Sequence, residues 1–184
     1  MDFYEEGVLR GAKPLKSIIS SNWLRRSGTF MAGAALTLTA LGVYVAPALT
    51  TPQPEKITEK MMTLQSSQER WIQIDLKKQR LIAWEGGSPV YAIVISSGKG
   101  STPTRPGIFT IQSKRRTDRM RGADYDVPNV PYAMYYSGNY AIHGAYWHRR
   151  FGTPVSHGCV NVAVNHARWL FDWASLGTAV VIHQ

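Results

Sequence analysis

Trp71-Ile72-Gln73-Ile74-Asp75-Leu76, then Lys77-Lys78-Gln79, then Arg80-Leu81-Ile82-Ala83-Trp84 is the stretch that decides the fold class. Apolar and polar side chains alternate through the first run and part of the last, so each offers one apolar face to a core. The polar triplet between them is short enough to close a hairpin. Downstream the same pattern continues. Gly86-Gly87-Ser88-Pro89 turns the chain into Val90-Tyr91-Ala92-Ile93-Val94-Ile95, which reads as a buried strand. Thr102-Pro103-Thr104-Arg105-Pro106-Gly107 is a rigid turn leading into Ile108-Phe109-Thr110-Ile111. Tyr132 to Tyr136, Tyr140 to His143 and Thr178 to His183 complete the strand set. Only Asn165 to Trp173 has helical spacing, with Ala167, Leu170 and Phe171 at i, i+3, i+4 and Gly177 beyond as a stop. Seven or so strands with one main helix over residues 70–184 imply a mainly β domain, sandwich or barrel.

Upstream the composition changes. Residues 28–49 carry no charge, and after Arg26 the next charged residue is Glu55. About 20 apolar residues suffice to cross a bilayer as a helix. Arg25 and Arg26 abut the N-terminal side, whereas Glu55-Lys56 and Glu59-Lys60 on the far side balance one another. The excess of positive charge predicts a cytoplasmic N-terminus with everything after about residue 50 outside. Ala46-Pro47-Ala48 would admit signal-peptidase cleavage, although the long N-terminal region favours an uncleaved anchor. The expected organisation is a cytoplasmic segment 1–27, a membrane-spanning anchor or signal 28–49, a linker 50–69 and a folded domain 70–184. The linker reading rests on three prolines and a polar mixed-charge stretch, within which a short helix over 55–68 is compatible.

The formal charge of +9 belongs to the C-terminal part. From Arg70 onward there are 14 Lys and Arg against 6 Asp and Glu. A polyanionic or carboxylate-rich partner fits this balance. The densest basic run, Lys114 to Arg121, reads as a solvated loop or as a lip that attracts such a partner. A single cysteine, Cys159, excludes an intramolecular disulfide, so a free thiol outside the cell needs another reason to exist.

That reason lies in His143-Gly144 followed, after a loop, by Ser156-His157-Gly158-Cys159-Val160-Asn161. A thiol at its free pKa of about 8.5 is mostly protonated at neutral pH and needs a neighbouring base. His143 ends a strand-like run, and His157 lies two residues from the cysteine, on the same side of an extended chain. Glycine beside each histidine suits close backbone approach, and Gly158 would let main-chain N–H groups face a substrate oxygen. A papain-like arrangement is excluded by order, since histidine here precedes cysteine. Zinc held by His143, His148, His157 and Cys159 is disfavoured by spacing and by the lack of any acidic residue between 143 and 161. No metal or other cofactor is called for.

Ser156-His157-Gly158-Cys159-Val160-Asn161, with Tyr140-Ala141-Ile142-His143-Gly144 upstream, resembles the signature of the L,D-transpeptidase catalytic-domain family. The likeness runs over about 70–184 and takes in Thr102 to Phe109, Pro131 to Met134 and Gly177 to Ile182. It implies a β-sandwich of mixed sheets with the site in a cleft under a flap, and peptidoglycan stem peptides as substrate. Carried over by position, Cys159 would be the nucleophile, His143 the general base and Gly144 the source of the orienting carbonyl. His157 and the N–H groups of Gly158 and Cys159 would serve the oxyanion, and Ser156 and Asn161 would hold the loop. Asn161, Tyr132, Met134, Tyr140 and Trp147 are candidate substrate-binding or wall residues; His148, Arg149 and Arg150 would border the cleft. The implied reaction is release of D-alanine from a tetrapeptide stem through a Cys acyl-enzyme, then transfer to an amine to give a 3→3 cross-link, with carbapenems as inhibitors. Water as acceptor would make the protein an L,D-carboxypeptidase, and a dead site would leave a wall-binding protein. The expected partners are stem peptides, wall polymer and the membrane through one N-terminal helix, without nucleic acid. The expected location is the bacterial cell envelope, membrane-anchored, with the catalytic domain extracytoplasmic.

Overall fold

A computed structural model describes residues 54–184. It contains two helices, α1 (Pro54–Gln65) and α2 (Val164–Trp173), and nine strands: β1 (Arg70–Asp75), β2 (Arg80–Glu85), β3 (Ser88–Val94), β4 (Gly107–Thr110), β5 (Ser113–Arg121), β6 (Asp126–Ser137), β7 (Tyr140–Gly144), β8 (Val160–Val162) and β9 (Ala179–His183). They form a five-stranded sheet in the order β3-β2-β1-β9-β4 and a four-stranded sheet in the order β5-β6-β7-β8. Both sheets are mixed, because β1 pairs with β9 in parallel and β7 pairs with β8 in parallel. The mainly β expectation holds. The predicted span over 28–49 lies outside the described residues; within 54–184 no helix is long and apolar enough to cross a membrane.

The core follows the predicted alternation. Ile72 and Ile74 of β1, Leu81 and Ala83 of β2, and Val180 and Ile182 of β9 point inward against Met134, Tyr136 and Ile142 of the second sheet. Helix α2 contributes Ala167, Leu170 and Phe171, the three residues its spacing selected. The hairpin joining β1 and β2 has Trp71 opposite Trp84 and Asp75 opposite Arg80.

Three local readings change. Part of the expected linker is α1, whose Ile57 and Leu64 cover Trp71, Ala179 and Val181. These residues occupy the outer face of β1 and β9, so both strands are buried on two sides. Trp71 also stacks on Trp84, 5.3 Å between ring centres. Strand β3, expected to be buried, lies at a sheet edge: Val90 and Val94 are exposed, whereas Ile93 and the following Ile95 are buried in the core and Tyr91 packs against it. The basic run at 114–121 is strand β5 and not a loop. Burying Leu64 removes a large apolar surface from water, so Leu64→Ala is expected to destabilise the domain by about 2–5 kcal/mol. Denaturant unfolding would measure the loss, and an unchanged midpoint would show α1 to be a detachable tether.

Strand β5 spends its charge within the fold. Lys114 Nζ donates to the carbonyls of Phe171 and Ala174, where α2 ends and leaves unpaired acceptors. Arg115 pairs with Asp118, and Arg119 and Arg121 pair with Asp126. With β6 it forms a long hairpin, in register from Ser113↔Tyr135 to Arg121↔Asp126 and irregular between Asp118 and Met120. The hairpin tip, residues 122–125, is what β5 and β6 deliver to the site.

Candidate active site

The parallel pair β7/β8 builds the centre. Ile142 lies opposite Val160, His143 opposite Asn161 and Gly144 opposite Val162. Parallel partners present their side chains on one face, so His143 and Asn161 share it. Cys159 lies at the bend just before β8, where the Ala141 backbone N–H reaches its thiol. His143 and Cys159 line one cavity of about 350 Å³ together with Ser156, His157, Asn161 and Trp147.

His143 is buried, and its Nδ1 lies 3.1 Å from the Gly144 carbonyl. A carbonyl only accepts, so Nδ1 carries the proton and Nε2 keeps its lone pair. Burial pushes the imidazole pKa down to about 4, against the opposing pull of the Gly144 bond. At neutral pH the ring is therefore an uncharged base of fixed tautomer. Burial pushes the Cys159 thiol pKa up, with the Ala141 backbone N–H working the other way. The thiol donates to the Asn139 carbonyl at 3.6 Å. Both shifts disfavour a thiolate–imidazolium pair, so the resting site is neutral thiol beside neutral base.

The turn carrying the cysteine is bolted down from several sides. Ser156 Oγ–H donates to the Cys159 carbonyl, and the Gly158 N–H donates to Ser156 Oγ at 3.0 Å. Thr104 Oγ1–H donates to the Gly158 carbonyl at 2.7 Å and accepts from the Gly98 N–H. Gly158 has φ +116°, and a Cβ there would lie 2.5 Å from the Tyr140 ring, so the turn requires glycine. Ser156 thus holds the loop as expected. The Gly158 N–H, expected to face a substrate oxygen, is already committed to Ser156.

His157 has a partner that the sequence argument missed. Asp124, in the hairpin tip, lies 3.0 Å from His157 Nε2, and Tyr125 stacks on the same ring at 4.6 Å. Lys99 Nζ lies 3.2 Å from that nitrogen. The bond to His157 holds the Asp124 carboxyl below the usual carboxylate range. No acid is near His157 in sequence, but the β5–β6 hairpin brings one from 33 residues away.

The remaining assignments divide. Trp147 is half-exposed on the cavity wall and stacks beside His143 at 5.8 Å. Of the three residues expected to border the cleft, His148 and Arg150 line the cavity and Arg149 does not. Tyr140 packs under Gly158 and beneath the Arg105 guanidinium, 5.4 Å away. Tyr132 and Met134 do not reach the cavity: Met134 is fully buried in the core, and the Tyr132 ring rests against Phe171. Met120, Tyr125, Val127 and Val155 complete the wall unforeseen. Met120, the one apolar residue in a run of charges from 114 to 121, was the available signal. Among the described residues no cluster of His, Cys, Asp and Glu has metal-binding geometry.

Residues 69–182 match the family model for the L,D-transpeptidase catalytic domain, YkuD. L,D-transpeptidase 2 of Mycobacterium tuberculosis is 33% identical over 109 residues, 52% of this chain and 26% of that protein. The chain thus matches about a quarter of that relative's length. The catalytic domain of an Enterococcus faecium L,D-transpeptidase superposes with a TM-score of 0.58 at 27% identity, over 64% of this chain and 98% of that one. LdtMt1, an L,D-transpeptidase solved in complex with imipenem, gives a TM-score of 0.59 at 26% identity, over 62% of this chain and 58% of that one. The matched region takes in both sheets, the strand pair beneath the site and the cysteine turn. This chain belongs to the L,D-transpeptidase catalytic-domain family.

Proposed function

We propose that the domain is a cysteine acyl-transferase acting on peptidoglycan stem peptides, with Cys159 as nucleophile and His143 as base. The observation that carries this reading is a single cavity lined by the Cys159 thiol and by a buried His143 imidazole of fixed tautomer. Gly144 supplies through its carbonyl what a carboxylate supplies in a conventional triad. On substrate binding, the thiol proton passes to His143 Nε2 and sulfur attacks the carbonyl carbon of the third stem residue. The Cys159 N–H and the His157 side of the cavity serve the developing oxyanion. Collapse of the tetrahedral species breaks the C–N bond, and the imidazolium gives its proton to the departing amine of D-alanine. An amine from a second stem then attacks the thioester, which releases the thiolate and forms a 3→3 link; water in its place yields a shortened stem.

Membership of the family, the neutral resting pair and the solved complex of a relative with imipenem support the reading. Incubation with a carbapenem is expected to add the mass of one inhibitor on Cys159, read by intact-protein mass spectrometry. An unmodified wild-type protein would sink the nucleophile assignment. Tetrapeptide muropeptides distinguish the two acceptors: a cross-linked dimer marks transfer, a tripeptide marks hydrolysis. The proposal also places the domain outside the cytoplasm of a bacterial cell, tethered through residues 28–49. Protease accessibility in spheroplasts checks that topology.

A further inference from the structure

His148 resolves an ambiguity at Asn161. The Arg150 backbone N–H donates to His148 Nδ1 at 3.2 Å, so Nδ1 holds the lone pair. Burial and the Arg150 charge both lower the pKa of this imidazole, which favours the neutral ring. Its single N–H is then on Nε2. That nitrogen lies 2.9 Å from the Asn161 carboxamide. An N–H requires an acceptor, so the amide oxygen must face His148; the two ends of an amide are assigned from such networks. In the structure the amide nitrogen faces His148 and the oxygen is buried without a partner; exchanging the two ends, as the Nε2–H tautomer requires, leaves the NH2 group without one.

Asn161 is 3% exposed and lines the cavity. A buried donor without an acceptor is a standing cost that a bound acceptor removes. Arg150 lines the same cavity, its charge acts on His148, and among the described residues it joins no ion pair. Two groups that only donate, one of them always charged, select an anionic oxygen ligand. The register says which one. His143 must stand beside the departing nitrogen to protonate it, and Asn161 lies opposite His143 on the ladder. The α-carboxylate of the leaving residue is two bonds beyond that nitrogen.

We propose that His148 is a positioning residue that turns the Asn161 NH2 into the cavity, and that this group and Arg150 bind the α-carboxylate of the departing terminal residue. The assignment rests on the acyl-transfer reading above and makes a free terminal carboxylate the mark of a good donor. Two tetrapeptide stems, one with a free C-terminal carboxylate and one with a C-terminal carboxamide, test it on the full-length chain. The wild type is expected to favour the carboxylate by about tenfold or more in kcat/KM, the scale of hydrogen bonds to a charged group. Arg150→Gln and Asn161→Asp should each erase most of that preference. His148→Phe should do the same, and His148→Gln, whose carboxamide can still donate to Asn161, should restore it. Nitrogen-15 NMR of the His148 ring should report the Nε2–H tautomer. An Nδ1–H tautomer, or a preference untouched by Arg150→Gln and His148→Phe, would overturn the proposal. If the wild type forms no thioester with either stem, the reaction assignment fails instead. Equilibrium binding of the two stems to the Cys159→Ala protein then still decides the subsite: equal affinities reject it, and a carboxylate preference lost in Arg150→Gln sustains it.

Discussion

Replacing Cys159 by alanine is expected to abolish acyl transfer, with a loss of roughly ten-thousand-fold or more, because no other group among the cavity residues can form the thioester. Among the described residues Cys159 is the single free thiol. The fold should survive the change. The residue is not fully buried, and its hydrogen bond to Asn139 is a weak one at 3.6 Å. The turn is held by Ser156 and Thr104 through main-chain atoms that alanine retains. The variant should therefore melt within about 1 kcal/mol of the wild type while gaining no mass from a carbapenem and releasing no D-alanine. Residual D-alanine release at a tenth of the wild-type rate would move the nucleophile elsewhere.

His143→Gln carries the second large effect. Loss of a general base in this position should cost about 10²–10⁴ in rate. The pH dependence separates this role from a packing role. Because burial holds the imidazole pKa at about 4, the acid limb of kcat/KM should fall near pH 4 and not at the ordinary histidine value. The same shift acts on stability. The folded-state pKa lies below the unfolded value of about 6.5, so the unfolded chain takes up the proton first as pH falls. The contribution of this group is complete above about pH 6.5 and is lost progressively down to about pH 4, in all on the order of 3 kcal/mol. Denaturant unfolding between those limits should show a flatter pH dependence for His143→Gln than for the wild type. Parallel curves would mean that His143 is not held neutral by burial, and the acid limb would then have another source.

What could be read in the chain, and what could not, follows the range of the interactions involved. Alternation in Trp71 to Leu76 and helical spacing at Ala167, Leu170 and Phe171 report burial directly, so both elements were legible. Strand β5 was hidden because six of its nine side chains are charged, and its pairing energy comes from β6, which begins beyond the tip. Helix α1 looked like a tether because its two buried residues, Ile57 and Leu64, gain their meaning from Trp71, Ala179 and Val181. The buried reading of Val90 to Ile95 held for Ile93 and Ile95 and failed for Val90 and Val94, since an apolar run cannot show that a strand has a neighbour on one side alone.

The sequence by itself determined the β class of the domain and singled out the candidate reactive set, because Cys159, His143, Ser156 and Gly158 are chemistry-bearing types in local runs. Their relation to one another was decided only by tertiary structure. The pairing of β7 with β8 brings His143 and the turn before β8 to one cavity, and burial sets the neutral state of His143. A hairpin tip delivers Asp124 and Tyr125 to His157 from a distant part of the chain. His148 and Asn161 orient each other through a bond between a loop and a strand. Hydrogen bonds and desolvation depend on which groups meet in space, and local sequence pattern holds no record of such meetings.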